Sequence, residues 1–167
     1  MAEAIIRPFE DADLPDAAAA LVEIHRSDGY PVEGVDQPER WLRSESVLAA
    51  WVAEEDGRIV GHVALMRPHG EDAVALWVQQ SGDDNVAVLA RLFVLKESRR
   101  RAVGEDLMKA AMHYARTRGL RLVLDVMTKD VAAIRLYERL GWLKIGEAAH
   151  HYGDGQQINA LCFASPA

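Results

Sequence analysis

The chain has 167 residues, 50% apolar and 27% charged, which suits one globular domain and excludes a disordered or fibrous chain. Its net charge of −7 argues against nucleic acid as a bulk partner, because a phosphate backbone demands a basic surface. No stretch approaches a membrane span and the N-terminus lacks the continuous apolar core of a signal peptide, so no membrane association and a cytoplasmic location are expected.

Ala4–Arg7, closed by Pro8, is predicted as an edge strand. Asp11 or Asp13 can cap a helix carrying Leu14, Ala18, Leu21, Val22 and His25, with Pro15 in the tolerant first turn and a stop near Asp28-Gly29. Tyr30 to Glu39 reads as a loop, leading into a short helix around Glu39–Leu42. Val47–Glu54 and Arg58–Met66 flank Glu55-Asp56-Gly57, the strongest hairpin signal in the chain. Pro68–Asp72 reads as a turn, Ala73–Gln79 as a pairing or irregular segment, and Ser81–Asn85 as an exposed loop.

Val88–Leu95 is almost purely apolar, the pattern of a strand buried on both faces. A basic turn and an amphipathic helix follow it. In the helix Val103, Leu107, Ala111 and Tyr114 recur at three- and four-residue spacing. Glu105 and Asp106 suit the positive end of its dipole, Arg116 and Arg118 the negative end, and Gly119 stops it. Leu120–Met127 is a second buried strand, and the strand–helix–strand order makes the two strands parallel. Val131–Leu140 is a shorter helix with Ala133, Ile134, Tyr137 and Leu140 on one face. Leu143–Glu147 and Ile158–Ala164 form a closing hairpin across a turn region from His150 to Gly155. The single cysteine, Cys162, excludes an internal disulfide and a Cys-rich zinc site, and its apolar neighbours make it a buried, inert thiol.

The turn between the buried strand and the long helix, Arg99-Arg100-Arg101-Ala102-Val103-Gly104, is where chemistry concentrates. Small residues let a ligand approach the main chain, and the first turn of a helix offers N–H groups with no partner inside it. Such a place attracts phosphate, and three arginines can add forked hydrogen bonds to a pyrophosphate or phosphomonoester. From composition alone, three solvated arginines in a turn are an equal reading.

Arg99-x-x-Ala102-x-Gly104 is similar to the Arg/Gln-x-x-Gly-x-Gly/Ala signature of the GNAT superfamily of acyl-CoA N-acyltransferases. The resemblance extends upstream to Leu92-Phe93-Val94 and downstream to Asp130–Trp142, which resembles the family's Asn-x-x-Ala-x-x-Leu-Tyr-x-x-x-Gly-Phe segment. It implies a single N-acetyltransferase domain over residues 1–167, of α+β class, with a mixed, mostly antiparallel sheet and one parallel strand pair around a central helix. The implied order is strand, two helices, three strands, helix, strand, helix, two strands. It also implies acetyl-CoA as cosubstrate, a small-molecule or peptide amine as acceptor, no metal, and direct attack in a ternary complex. A homodimer is compatible with the family, although nothing in the sequence marks an interface.

On this resemblance the cofactor would meet the main chain near Phe93 and Val94, and the turn formed by Arg99, Arg100, Arg101, Ala102, Val103, Gly104 and Glu105. Ala102 stands where a glycine is usual, which is compatible if its backbone is helical. Asp130 stands where asparagine is usual; it is a candidate cofactor contact, but its charge beside a polyanion makes a helix N-cap the more economical reading. The attacking amine must be neutral and the departing sulfur benefits from a proton. Tyr137 matches the motif tyrosine, and the resemblance makes it the acid; its spacing from Ile134 and Leu140 alone would make it a packing residue.

The base stays open among Glu54, His62, Asp125, His150 and His151, with His62 better read as a hydrogen-bonded structural histidine. Tyr30, Trp41 and Trp77 either line an acceptor pocket or pack, and the Tyr30–Pro38 loop is the expected specificity element. Two other classes compete with the enzyme. One is a non-catalytic acyl-CoA sensor or interaction module of the same fold. The other is a nucleotide- or RNA-binding module on the three arginines, which conflicts with the acidic balance and with the absence of interleaved aromatics.

Overall fold

The computed structural model describes residues 4–28, 37–152 and 155–166. Seven strands, β1 (Ile5–Pro8), β2 (Val47–Glu55), β3 (Arg58–Met66), β4 (Val86–Val94), β5 (Arg121–Met127), β6 (Leu143–Tyr152) and β7 (Gln156–Ala164), form one mixed sheet in the order β1-β2-β3-β4-β5-β7-β6. The helices are α1 (Leu14–Asp28), α2 (Pro38–Leu42), α3 (Asp72–Ser81), α4 (Val103–Thr117) and α5 (Val131–Arg139). Short 3-10 turns at Asp11–Asp13 and Lys96–Arg101 precede α1 and α4. This is the α+β layout expected, with one addition. Chain contacts divide it into two compact units, Met1–Met66 with Ala90–Ala111, and Arg67–Leu89 with Met112–Ala167.

In the first unit β1 lies antiparallel on β2 and β2 on β3. The β2–β3 turn is Asp56-Gly57, with φ of 53° and 75°, the two left-handed residues that a two-residue hairpin with the sheet's own twist requires. α1 buries Ala17, Ala18, Ala20, Leu21 and Ile24, the small and branched residues of one helical face. Arg7 on β1 ties three elements together: its guanidinium grips Asp13 through both terminal nitrogens at 2.7 and 2.8 Å and Glu54 at 2.7 Å. Gly61 on β3 permits a close approach. A Cβ there would lie 3.0 Å from Leu107 Cδ1, 3.2 Å from the Phe93 carbonyl and 3.2 Å from Val103 Cγ1.

In the second unit β4 and β5 run parallel over Val86–Val88 and Arg121–Val123. β5 pairs antiparallel with β7, and β7 with β6. Two expectations are corrected here. Residues 73–79 neither pair nor remain irregular, because they belong to the helix α3, so the described residues hold five helices rather than the four expected. The preceding Glu71 makes no side-chain cap; instead the Ala73 N–H donates to Asp125 Oδ1 on β5 at 3.1 Å, and left-handed Gly82 closes the other end. The closing hairpin is also longer than expected. His150, His151 and Tyr152 stay in register with Ile158, Gln157 and Gln156, so His150 and His151 lie on β6 and not in a turn. Cys162 is fully buried, as expected.

Candidate active site

The basic turn leaves β4 as a 3-10 turn and enters α4 through Ala102, whose φ of 60° and ψ of 23° are left-handed. Ala102 is therefore not helical as its tolerance was expected to require. It occupies the conformation in which a glycine is strain-free, while a Cβ costs about 1–2 kcal/mol. The Asp106 N–H donates to the Ala102 carbonyl at 3.0 Å. Val103, Gly104 and Glu105 form the first turn of this 15-residue helix, whose dipole points its positive end at the basic turn.

Val103 anchors this end by being fully buried. Glu105 is half-buried and its carboxylate meets Lys109 at 3.4 Å. Arg99 is a strut: its Nε donates to the Val94 carbonyl at 3.0 Å and its terminal nitrogen ion-pairs with Asp28. Burial opposes ionisation of Asp28, yet hydrogen bonds from Arg99 and Ser27 bring its pKa below the ordinary carboxylate value. Arg100 and Arg101 complete the 3-10 turn.

Just upstream, Phe93 and Val94 are buried at the end of β4. Two residues earlier β4 takes a left-handed step at Arg91, φ 59°, another conformation that a long side chain adopts only when held. It is held at both ends. The Arg91 carbonyl lies 2.8 Å from Nδ1 of the fully buried His62, and its guanidinium meets the Trp41 carbonyl and Ser44 Oγ (3.4 Å) above the Trp41 ring. Sequence reasoning passed over Arg91. The signal was an arginine inside an otherwise apolar run.

In the second unit Tyr137 is buried on α5, with Trp142 and Phe163 rings 6.0 and 6.1 Å away. Burial, and after it the negative charge of Asp130, raise its phenol pKa above the ordinary value, so Tyr137 keeps its proton. Asp130 occupies the N-cap position of α5, but its side chain makes no cap bond. Its charge on the phenol is an effect the motif comparison did not foresee.

The environments of the base candidates differ. Glu54 is engaged by Arg7. His62 is sealed, and desolvation lowers its pKa to about 4. Asp125 keeps part of its surface in solvent. Its Oδ1 accepts from both the Ala73 N–H and Cys162 Sγ (3.4 Å). Desolvation raises the Asp125 pKa; those two hydrogen bonds oppose the rise and the charges of Asp72 and Glu71 add to it. Desolvation and then Asp125 push the Cys162 thiol up to about 12, so it remains a donor. Trp41 and Trp77 are half-buried, each beneath a guanidinium, Arg91 and Arg121, at 4.9 Å. Tyr30 and the loop through Asp36 lie outside the described residues. Among the described residues no cluster of three or more His, Cys, Asp or Glu side chains could hold a metal, and no helix is long and apolar enough to cross a membrane.

Residues 16–142 match the Acetyltransferase (GNAT) family. The chain belongs to that family. N-alpha-acetyltransferase 60 of Xenopus tropicalis is 30% identical to this GNAT chain over 135 residues, 75% of this chain and 54% of that protein. The peptidyl-lysine N-acetyltransferase YiaC of Escherichia coli is 32% identical over 92 residues, 55% of this chain and 48% of that protein. The GNAT chain spans about half the length of the curated relatives it matches. Among solved structures, Arabidopsis thaliana NAA60 in complex with acetyl-CoA superposes with a TM-score of 0.72 at 20% identity, covering 96% of this chain and 97% of that one.

Proposed function

We propose that residues 1–167 form one N-acetyltransferase domain that moves an acetyl group from acetyl-CoA to a primary amine within a ternary complex. The observation that carries the reading is the left-handed Ala102 turn that leads from a basic stretch into the N-terminal end of the 15-residue helix α4, in a chain of the GNAT family. These groups fit a diphosphate: consecutive N–H donors, a favourable dipole, and a basic turn immediately before them. Acetyl-CoA, when bound, supplies a thioester carbonyl open to attack by an amine.

The N–H groups of Val103, Gly104 and Glu105, with Arg100 and Arg101, hold the diphosphate. Arg99 braces the turn against Asp28 rather than reaching for phosphate. The Phe93 main chain meets the coenzyme arm, while the Val94 carbonyl is already occupied by Arg99. Tyr137 gives its proton to the departing sulfur, a role that a phenol kept neutral by burial and by Asp130 suits. Asp125 takes the amine proton, directly or through one water. Asp125 combines solvent contact with a raised pKa, which makes it a better base than an ordinary carboxylate. Asp130 acts on Tyr137 rather than on the coenzyme. The relatives' names point to a peptide N-terminus or a lysine side chain as acceptor.

Coenzyme A binding by calorimetry, set beside acetyl-CoA turnover across small amines, amino acids and peptides with free N-termini or lysines, tests the reading. Tyr137→Phe is expected to lower turnover about tenfold or more while coenzyme affinity stays within about twofold. Binding without turnover of any amine would favour a sensor, and no binding would remove the assignment altogether.

A further inference from the structure

His62 and Arg91 have no part in the proton transfers above, yet both are constrained beyond what packing needs. Carbonyl oxygens only accept, so the 2.8 Å contact to the Arg91 oxygen puts the His62 proton on Nδ1 and leaves Nε2 with a lone pair. Phe93 stacks on the imidazole at 5.3 Å and 18°, and Phe9 meets it edge-on at 5.7 Å. The ring cannot turn from that carbonyl without displacing two aromatic neighbours. The carbonyl belongs to a residue of β4 with left-handed φ, two positions before Phe93. The guanidinium end of the same residue is fixed on Trp41 and Ser44, and its carbonyl end meets His62.

We propose that His62 is a positioning residue for acetyl-CoA: through the Arg91 carbonyl, its Nδ1–H fixes the left-handed step that sets the direction of the Leu92–Val94 main chain, where the coenzyme arm docks. The inference rests on the acetyl-CoA reading given above. His62→Leu keeps much of the volume without the donor, whereas His62→Asn places an amide N–H near the position of Nδ1–H. His62→Leu should weaken coenzyme A binding and raise KM for acetyl-CoA about tenfold, with kcat within about threefold, and His62→Asn should bring both constants back to within about threefold of wild type. A packing role predicts the reverse order of the two variants.

Wild-type-like affinity in the leucine variant, or an asparagine variant as weak as leucine, overturns the proposal. A wild-type protein that binds no coenzyme A overturns the acetyl-CoA reading instead. Should the leucine variant fail to fold, the imidazole nitrogen shifts of the wild-type protein decide. An Nδ1-protonated neutral ring whose resonances move on saturation with coenzyme A supports the proposal, and an Nε2-protonated ring or unmoved resonances sink it.

Discussion

At Ala102 the chain needs a backbone conformation that its side chain resists. A Cβ at φ 60° costs about 1–2 kcal/mol, and the smaller conformational freedom of alanine in the unfolded chain returns about 0.4–1 kcal/mol of that. Ala102→Gly should therefore stabilise the protein by about 0.5–1 kcal/mol and leave coenzyme affinity equal or better. Urea unfolding and calorimetry check this together, and a lower midpoint in the glycine variant would show that the turn is not left-handed in solution. The motif made the turn legible as a place, because its residue types and spacing are local. Its conformation was not legible, since alanine is ordinarily the best helix former and φ is imposed here by the 3-10 turn before it and buried Val103 after it. Asp125 shows the same limit. The sequence marked an acid in an apolar run, while its raised pKa comes from desolvation and, after it, from the charges of Asp72 and Glu71, against the hydrogen bonds from Cys162 and Ala73, all of which depend on the fold.

Helix α3 was hidden because its N-terminal cap comes from a strand 52 residues away rather than from its own flank. Asp125 Oδ1 takes the place of the serine, threonine or aspartate that would have announced the helix. The α3 face then packs on β6 through Leu76, into space left by Gly146, where a Cβ would lie 2.7 Å from Leu76 Cδ1. Gly61 does comparable work for α4, but its neighbours differ in kind. At Gly146 the obstacle is the end of a flexible leucine; at Gly61 it includes a strand carbonyl and a β-branched residue at the start of the helix. Gly61→Ala should cost about 1–3 kcal/mol and, by shifting Val103, weaken coenzyme A binding. Gly146→Ala should cost less and leave coenzyme binding unchanged. Equal losses of stability and affinity in the two variants would refute the distinction. The long amphipathic helix and the Asp56-Gly57 hairpin were legible because each is specified within one local stretch.

Across the described residues, acid stability turns on carboxyl groups whose pKa values shift in opposite directions. The hydrogen bonds of Arg7 hold the Asp13 pKa below its ordinary 3.8, and those of Arg99 and Ser27 outweigh burial to do the same for Asp28. For both, the unfolded chain binds protons first as pH falls. Their stabilisation is complete above 3.8 and is lost as pH drops through the folded-state values. Asp125 is raised, so its folded form holds a proton that the unfolded chain has released. It adds no penalty below 3.8 and an increasing one as pH rises through its folded value. With a sequence pI near 5.3, net repulsion is small where Asp13 and Asp28 are still fully ionised, so the steep loss of stability should begin only below about pH 4. Asp13→Asn should lower stability by about 1 kcal/mol at pH 7 and by little at pH 2.5, flattening the acid limb. Asp125→Asn, which keeps an acceptor for the Ala73 N–H, should do the opposite: a higher urea midpoint than wild type at pH 7 and an equal one at pH 2.5. If both variants instead run parallel to wild type across the range, neither carboxylate is coupled to folding in the direction its surroundings require.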